Sequence, residues 1–115
     1  MEKLSLALAA QLLLARVATN VSDGLGTMLD ALAQELARSI PVYGLDGRSG
    51  LYRIIDEFEM RCACFRHGAA LLSTADGGVF TQMTVRRADF AAYLEAIDEP
   101  LILSRLARQP AVRGC

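Results

Sequence analysis

The run Cys62-Ala63-Cys64-Phe65-Arg66-His67 gathers two of the chain's three cysteines and its one histidine within six residues. Thiolate and imidazole are the soft ligands that zinc and similar metals prefer, and a thiolate beside a base or a positive field is a nucleophile. Cys62, Cys64 and His67 are therefore the candidate metal ligands. A structural zinc site takes four protein ligands, usually as two separated pairs, and the third sulfur, Cys115, is a lone residue at the far end of the chain. Cys-x-Cys is not the Cys-x-x-Cys spacing of a redox pair, and no third residue stands out to orient His67 as a base. The run thus lacks a complete catalytic or metal signature, so no catalytic residue is assigned and no cofactor is expected. The competing reading packs both thiols as small apolar groups on the inner side of a strand and puts His67 in the following turn.

Other polar groups give less. Asp56, Glu57 and Glu59 are too close in sequence to share one face of a regular element, which reads as a solvated polar surface. Gly44-x-x-Gly47-x-x-Gly50 and Asp76-Gly77-Gly78 lack the phosphate-binding glycine patterns and read as turns.

What must position these groups is set by size and composition. The chain has 115 residues, 53% hydrophobic and 22% charged, with a formal net charge of −1, which suits one folded domain over residues 1–115 and excludes a disordered chain. Near-zero charge gives no overall attraction to nucleic acid, so a nucleic-acid partner is not expected. An odd number of cysteines argues for a reducing compartment, hence the cytoplasm. The apolar stretch 4–15 is broken by Gln11, is followed by Arg16, and falls short of the roughly 20 residues of a membrane span. It reads as a buried helix.

Leu4, Leu8 and Leu12 repeat at helical spacing, and Leu25, Leu29 and Leu32 lead a second periodic segment that ends at Pro41. This predicts a helical hairpin over 1–40. Residues 42–85 carry strands and turns, of which the clearest is a hairpin pairing 69–74 with 79–85 around Asp76-Gly77-Gly78. Before that hairpin the segment 51–65 fits two patterns: a helix carrying Leu51, Ile54, Ile55, Phe58, Cys62 and Phe65, or a strand in which Phe58, Met60, Cys62 and Cys64 share a face. Residues 86–109 return to helix, with Phe90, Tyr93, Leu94 and Ile97 on one side and Pro100 opening a last short helix. Residues 110–115 read as a flexible tail.

Two resemblances follow from these segments. Gly78-Val79-Phe80 with Thr84-Val85-Arg86-Arg87-Ala88-Asp89-Phe90 and the helix after it resembles the wing and closing helix of excisionase-type DNA-binding domains, which implies duplex contact through Arg86 and Arg87. The preceding helix-turn-helix is missing, and residues 45–115 hold nine basic and nine acidic side chains, so no basic footprint accompanies it. The overall pattern of an acidic, small α+β chain with apolar helices looks like small bacterial secretion chaperones, which implies a dimer that holds a segment of another polypeptide.

The sequence predicts an α+β fold: an N-terminal helical hairpin, a small antiparallel sheet, and one or two C-terminal helices, with an all-α bundle as the alternative. Its mean hydropathy of +0.30 leaves more apolar surface than so small a domain readily hides. The expected function is that of a non-enzymatic, chaperone- or adaptor-like interaction protein, homodimeric and protein-binding, with Leu4, Leu8, Leu12, Leu25, Leu29 and Leu32 as its contact surface. A thiol or metal activity at Cys62, Cys64 and His67, and a DNA-binding role for 78–96, are the alternatives.

Overall fold

Residues 79–86, Val-Phe-Thr-Gln-Met-Thr-Val-Arg, are rich in β-branched and aromatic side chains and form the longest strand. The computed structural model describes residues 2–14 and 25–108, with the side chain of Leu25 also outside the described set. In chain order these residues form β1 (Lys3–Ser5), α1 (Leu6–Leu13), α2 (Leu25–Ala37), β2 (Tyr43–Asp46), β3 (Tyr52–Ile54) and α3 (Glu57–Met60). Then follow β4 (Cys64–Arg66), β5 (Leu71–Ser73), β6 (Val79–Arg86), α4 (Arg87–Ala96) and α5 (Pro100–Arg108). The fold is α+β. Among the described residues the strands form one antiparallel sheet in the order β3-β2-β6-β5-β4, with β1 also pairing with β6. Thr84 has Tyr43 as its partner on one side and Ser5 on the other, so β1 takes up the edge of β6 that β5 leaves free.

β6 is bent by a bulge. Tyr43 opposes Thr84 while Leu45 opposes Thr81, which leaves Gln82 and Met83 facing Gly44 alone, and Gln82 takes the left-handed φ of 50°. The extra residue reverses the alternation partway along the strand. Phe80, Met83 and Val85 all turn to the same side and are buried, whereas strict period-two reading groups Val79, Thr81, Met83 and Val85. Gly44 is tightly packed opposite this bulge: a Cβ there would lie 3.0 Å from Met83 Cγ and 3.3 Å from Ile55 Cδ1, so those side chains would have to shift by a few tenths of an ångström.

The inward side of the sheet, formed by Leu4, Phe65, Leu72, Phe80, Met83 and Val85, closes against α1, α2, α4 and α5 in one cluster. Leu6, Ala9 and Leu13 of α1, Leu29 and Leu36 of α2, Phe90 and Leu94 of α4, and Ile102 and Leu106 of α5 fill it. The opposite side carries no helix from this cluster. A further tie joins the layers: the Ala69 amide, in a turn with left-handed φ, donates to Asp30 Oδ1 of α2 at 2.7 Å.

Three expectations change. Leu4 belongs to a strand, because its backbone completes the edge of β6 and Ser5 then caps α1 by accepting from the Leu8 amide. The segment 51–65 is neither one helix nor one strand but β3, α3 and β4. Asp56 starts a single turn through a capping box with Glu59, and Cys62, with φ 63°, follows the end of that turn. The sheet also spans more than 42–85, since residues 3–5 join it. Residues 15–24 and 109–115, including the expected tail, lie outside the described residues.

Gly44→Val is expected to lower stability by about 2 kcal/mol, since the added side chain must displace Met83 and Ile55 in a packed core. A urea unfolding series at constant slope measures the loss.

Candidate functional site

β4 alternates outward, inward, outward, so Phe65 enters the core and Cys64 and Arg66 face solvent. The sequence grouped Cys64 with the inner face; the parity is the reverse, because the turn at 61–63 resets the phase before β4 begins. Cys62 is likewise exposed, and both thiols are free. They are not core packing. Cys62 lines a cleft of about 730 Å³ with Arg38, Pro41, Ile54, Glu57 and Met60, whereas Cys64 lies on the outer side of the sheet opposite Ser73. His67 sits exposed in the β4–β5 turn with φ 57°. Among the described residues no group of three or more histidine, cysteine or acidic side chains comes together to hold a metal. Cys62, Cys64 and His67 are thus neighbours in sequence that the fold sends in different directions.

The polar centre of the structure lies elsewhere. Arg53 on β3 reaches Asp46 Oδ2 through Nη2 at 3.0 Å and grips both oxygens of Glu59, Nη1 to Oε1 at 2.7 Å and Nη2 to Oε2 at 2.6 Å. This is the two-pronged pairing that planar guanidinium makes with carboxylate. Its guanidinium carbon stands 5.0 Å from the Phe80 ring centroid, over the apolar core. Glu59 also accepts from the Asp56 amide, and the Asp56 carboxylate in turn accepts from the Glu59 amide. The Asp46 side chain is 6% exposed and its other oxygen accepts from the Arg48 amide. Arg48 continues the chain to Asp76, which also accepts from the Thr74 hydroxyl and the Gly78 amide.

Asp46, Glu59 and Asp76 are held in their charged forms. The Arg48 amide and then the Arg53 guanidinium lower Asp46 from the ordinary aspartate range against the opposing effect of burial. Arg53 does the same for Glu59, and the Thr74 hydroxyl for Asp76, while Glu59 and Asp46 raise Arg53 further. With its oxygens taken by neighbours, this network is a fastening between the β2–β3 hairpin, α3 and the β5–β6 turn. The sequence reading of 56–59 as a solvated face misses Glu59, whose partner Arg53 is contributed by a separate strand.

The leucines predicted to meet a partner lie in the chain's own core. Leu4, Leu12, Leu29 and Leu32 are buried and Leu8 is half-buried against the same cluster; the side chain of Leu25 is outside the described residues. Sheet burial uses up the helical stripes. Exposed apolar side chains are found instead on and beside β3, at Leu51 (63% exposed), Tyr52 (41%) and Ile54 (46%), and on α3 at Phe58 (77%), with Val79 and Leu101 elsewhere.

The outer side of the sheet is the second distinctive surface. Register places Lys3, Tyr43, Leu45, Tyr52, Ile54, Cys64, Arg66, Leu71, Val79, Thr81, Thr84 and Arg86 on it together. Lys3 Nζ stands 4.4 Å from the Tyr52 ring centroid and 5.6 Å from that of Tyr43, and Arg86 stacks on Tyr43 at 5.3 Å. The Tyr52 and Thr84 hydroxyls are hydrogen-bonded. Arg87, by contrast, points inward and donates to the Leu106 carbonyl while pairing with Glu2. Strand β6 does run directly into helix α4, but it has neighbours on both edges and is not a projecting wing.

Comparison of the chain with protein-family models, with curated proteins and with solved structures gives no significant match. Among the described residues, no helix is long and apolar enough to cross a membrane.

The lowered carboxylates give stability a definite pH dependence. A group whose folded pKa lies below its unfolded value stabilises above the ordinary carboxylate range and loses that contribution as pH falls through the lowered folded value. Thermal unfolding is therefore expected to occur at progressively lower temperature from about pH 5 downward. Arg53→Gln should lower the pH 7 midpoint by about 5 °C and flatten the acid slope, as a melting series in both proteins would show.

Proposed function

We propose that this protein is a non-enzymatic, cytoplasmic assembly protein that pairs with a second copy of itself through the free edge of β3. The observation that carries the proposal is that four large exposed apolar side chains, Leu51, Tyr52, Ile54 and Phe58, lie within eight residues of one another on and beside β3, a terminal strand of the sheet. The Asp46 amide donates to the Leu51 carbonyl and the Ile55 amide to the Val42 carbonyl, so bonded pairs fall at 46/51, 44/53 and 42/55. The backbone groups of Tyr52 and Ile54 consequently point away from β2, toward the outside of the sheet, where the Ile54 carbonyl also accepts from Arg53 Nη1 at 3.1 Å.

That edge is self-complementary. Two antiparallel copies of β3 centred on Arg53 set Tyr52 of one copy opposite Ile54 of the other, twice, with matched donors and acceptors and an aromatic beside a β-branched side chain. The two Arg53 side chains near the axis are each already paired with Glu59 and Asp46, which lessens their mutual repulsion. Two unjoined exposed thiols two residues apart support a reducing compartment.

Hydrogen exchange tests the pairing directly. The Tyr52 and Ile54 amides should gain protection as protein concentration rises, while amides in the core of β6 keep theirs throughout. Ile54→Pro removes only an outward donor, which an edge strand tolerates, and should weaken dimerisation by about 2 kcal/mol with the monomer still folded by circular dichroism. A wild-type protein that stays monomeric at high micromolar concentration in light scattering, with those two amides always exchanging freely, would refute it.

A further inference from the structure

We infer that the outer side of the sheet is a docking surface for an acidic, apolar segment of another polypeptide. Its charge is one-sided: the strands place Lys3, Arg66 and Arg86 on it and no aspartate or glutamate. Arg48 is matched by Asp46 and Asp76, Arg53 by Asp46 and Glu59, and Arg87 by Glu2. Lys3, Arg66 and Arg86 have no carboxylate partner among the described residues, and Arg86 Nε is buried without a hydrogen bond. In a chain of net charge −1 this is a local excess of positive charge with an unmet need for acceptors.

Between the cations run Leu45, Ile54, Leu71 and Val79, a mainly aliphatic floor with Tyr43 and Tyr52 beside Lys3. A segment that alternates carboxylates with aliphatic side chains matches both features. A second copy of the same face does not, because it would bring like charges together. Single-stranded nucleic acid suits it less well: Lys3 and Arg86 already lie over the tyrosine rings on which bases would stack, and a polyanion gains nothing from the chain's overall charge. The surface shares Tyr52 and Ile54 with the edge of β3, but its cations stand on β1, β4 and β6, so it does not require the chain to dimerise.

The probe is a synthetic extended peptide of alternating glutamate and valine, titrated into the ¹⁵N-labelled full chain. Its lysine-valine counterpart and oligothymidylate serve as comparisons. Expected are salt-sensitive shifts at Tyr43, Leu45, Thr81 and Thr84 with the glutamate peptide only. Lys3→Glu combined with Arg86→Glu should weaken that binding about tenfold to a hundredfold. Lys3→Gln with Arg86→Gln should give an intermediate loss, which separates charge from folding, and the unbound spectrum of each variant reports the fold. The proposal is overturned if the glutamate peptide does not bind, if its shifts fall on the helices, or if oligothymidylate binds the same residues more tightly.

Discussion

The bulge of β6 opposite Gly44 is the constraint on which the other parts depend. β6 pairs with β2 on one side and with β5 and β1 on the other, so the phase of its side chains sets the phase of the sheet. Without the extra residue at Gln82 and Met83, Phe80 and Val85 would face opposite sides, and one of them would be stranded in water. With it, one continuous apolar wall meets four helices, and Gly44 is the residue small enough to lie against the doubled strand.

The same phase makes the outer side what it is. Once Phe80, Met83 and Val85 turn inward, Thr81, Thr84 and Arg86 must turn out, and their cross-strand partners Leu45, Tyr43 and Lys3 go with them. An antiparallel sheet can leave one face to water, but such a face is usually well supplied with both signs of charge. Here the acidic groups nearest the sheet are drawn to the inner rim, where Asp46 and Glu59 hold Arg53 over Phe80. The segregation of charge follows from that network, and so does the exposure of the β3 edge, since Arg53 anchors the hairpin with its side chain while Tyr52 and Ile54 stay outside.

Much of the architecture was legible. The 79–85 strand, the turn at Asp76-Gly77-Gly78, the helix bearing Phe90, Tyr93 and Leu94, and the boundary at Pro100 all follow from periodicity and turn chemistry acting within a few residues. The site was far less so. Cys62, Cys64 and His67 drew attention by type, but a left-handed residue at Cys62 and another at His67 separate them, and those angles come from the packing of the turns around β4. Arg53, Asp46 and Glu59 carried no local signal: each is an ordinary charged residue, and only the β2–β3 hairpin and the single turn of α3 bring them together. A useful clue was available in the capping-box spacing of Asp56 and Glu59.

By itself, the order of residues determined the two C-terminal helices, the strand at 79–85 and the abundance of apolar surface, because those properties are local and additive along the chain; residues 3–5 and 51–65 it left to the fold. Only the tertiary structure decided where that surface ends up. The leucines of α1 and α2 are consumed by a sheet whose phase is set by one bulge, and the apolar and cationic groups left over belong to β3 and the outer face. Which residues remain at the surface depends on which partners the fold supplies from distant positions, and spacing along one segment carries no record of that.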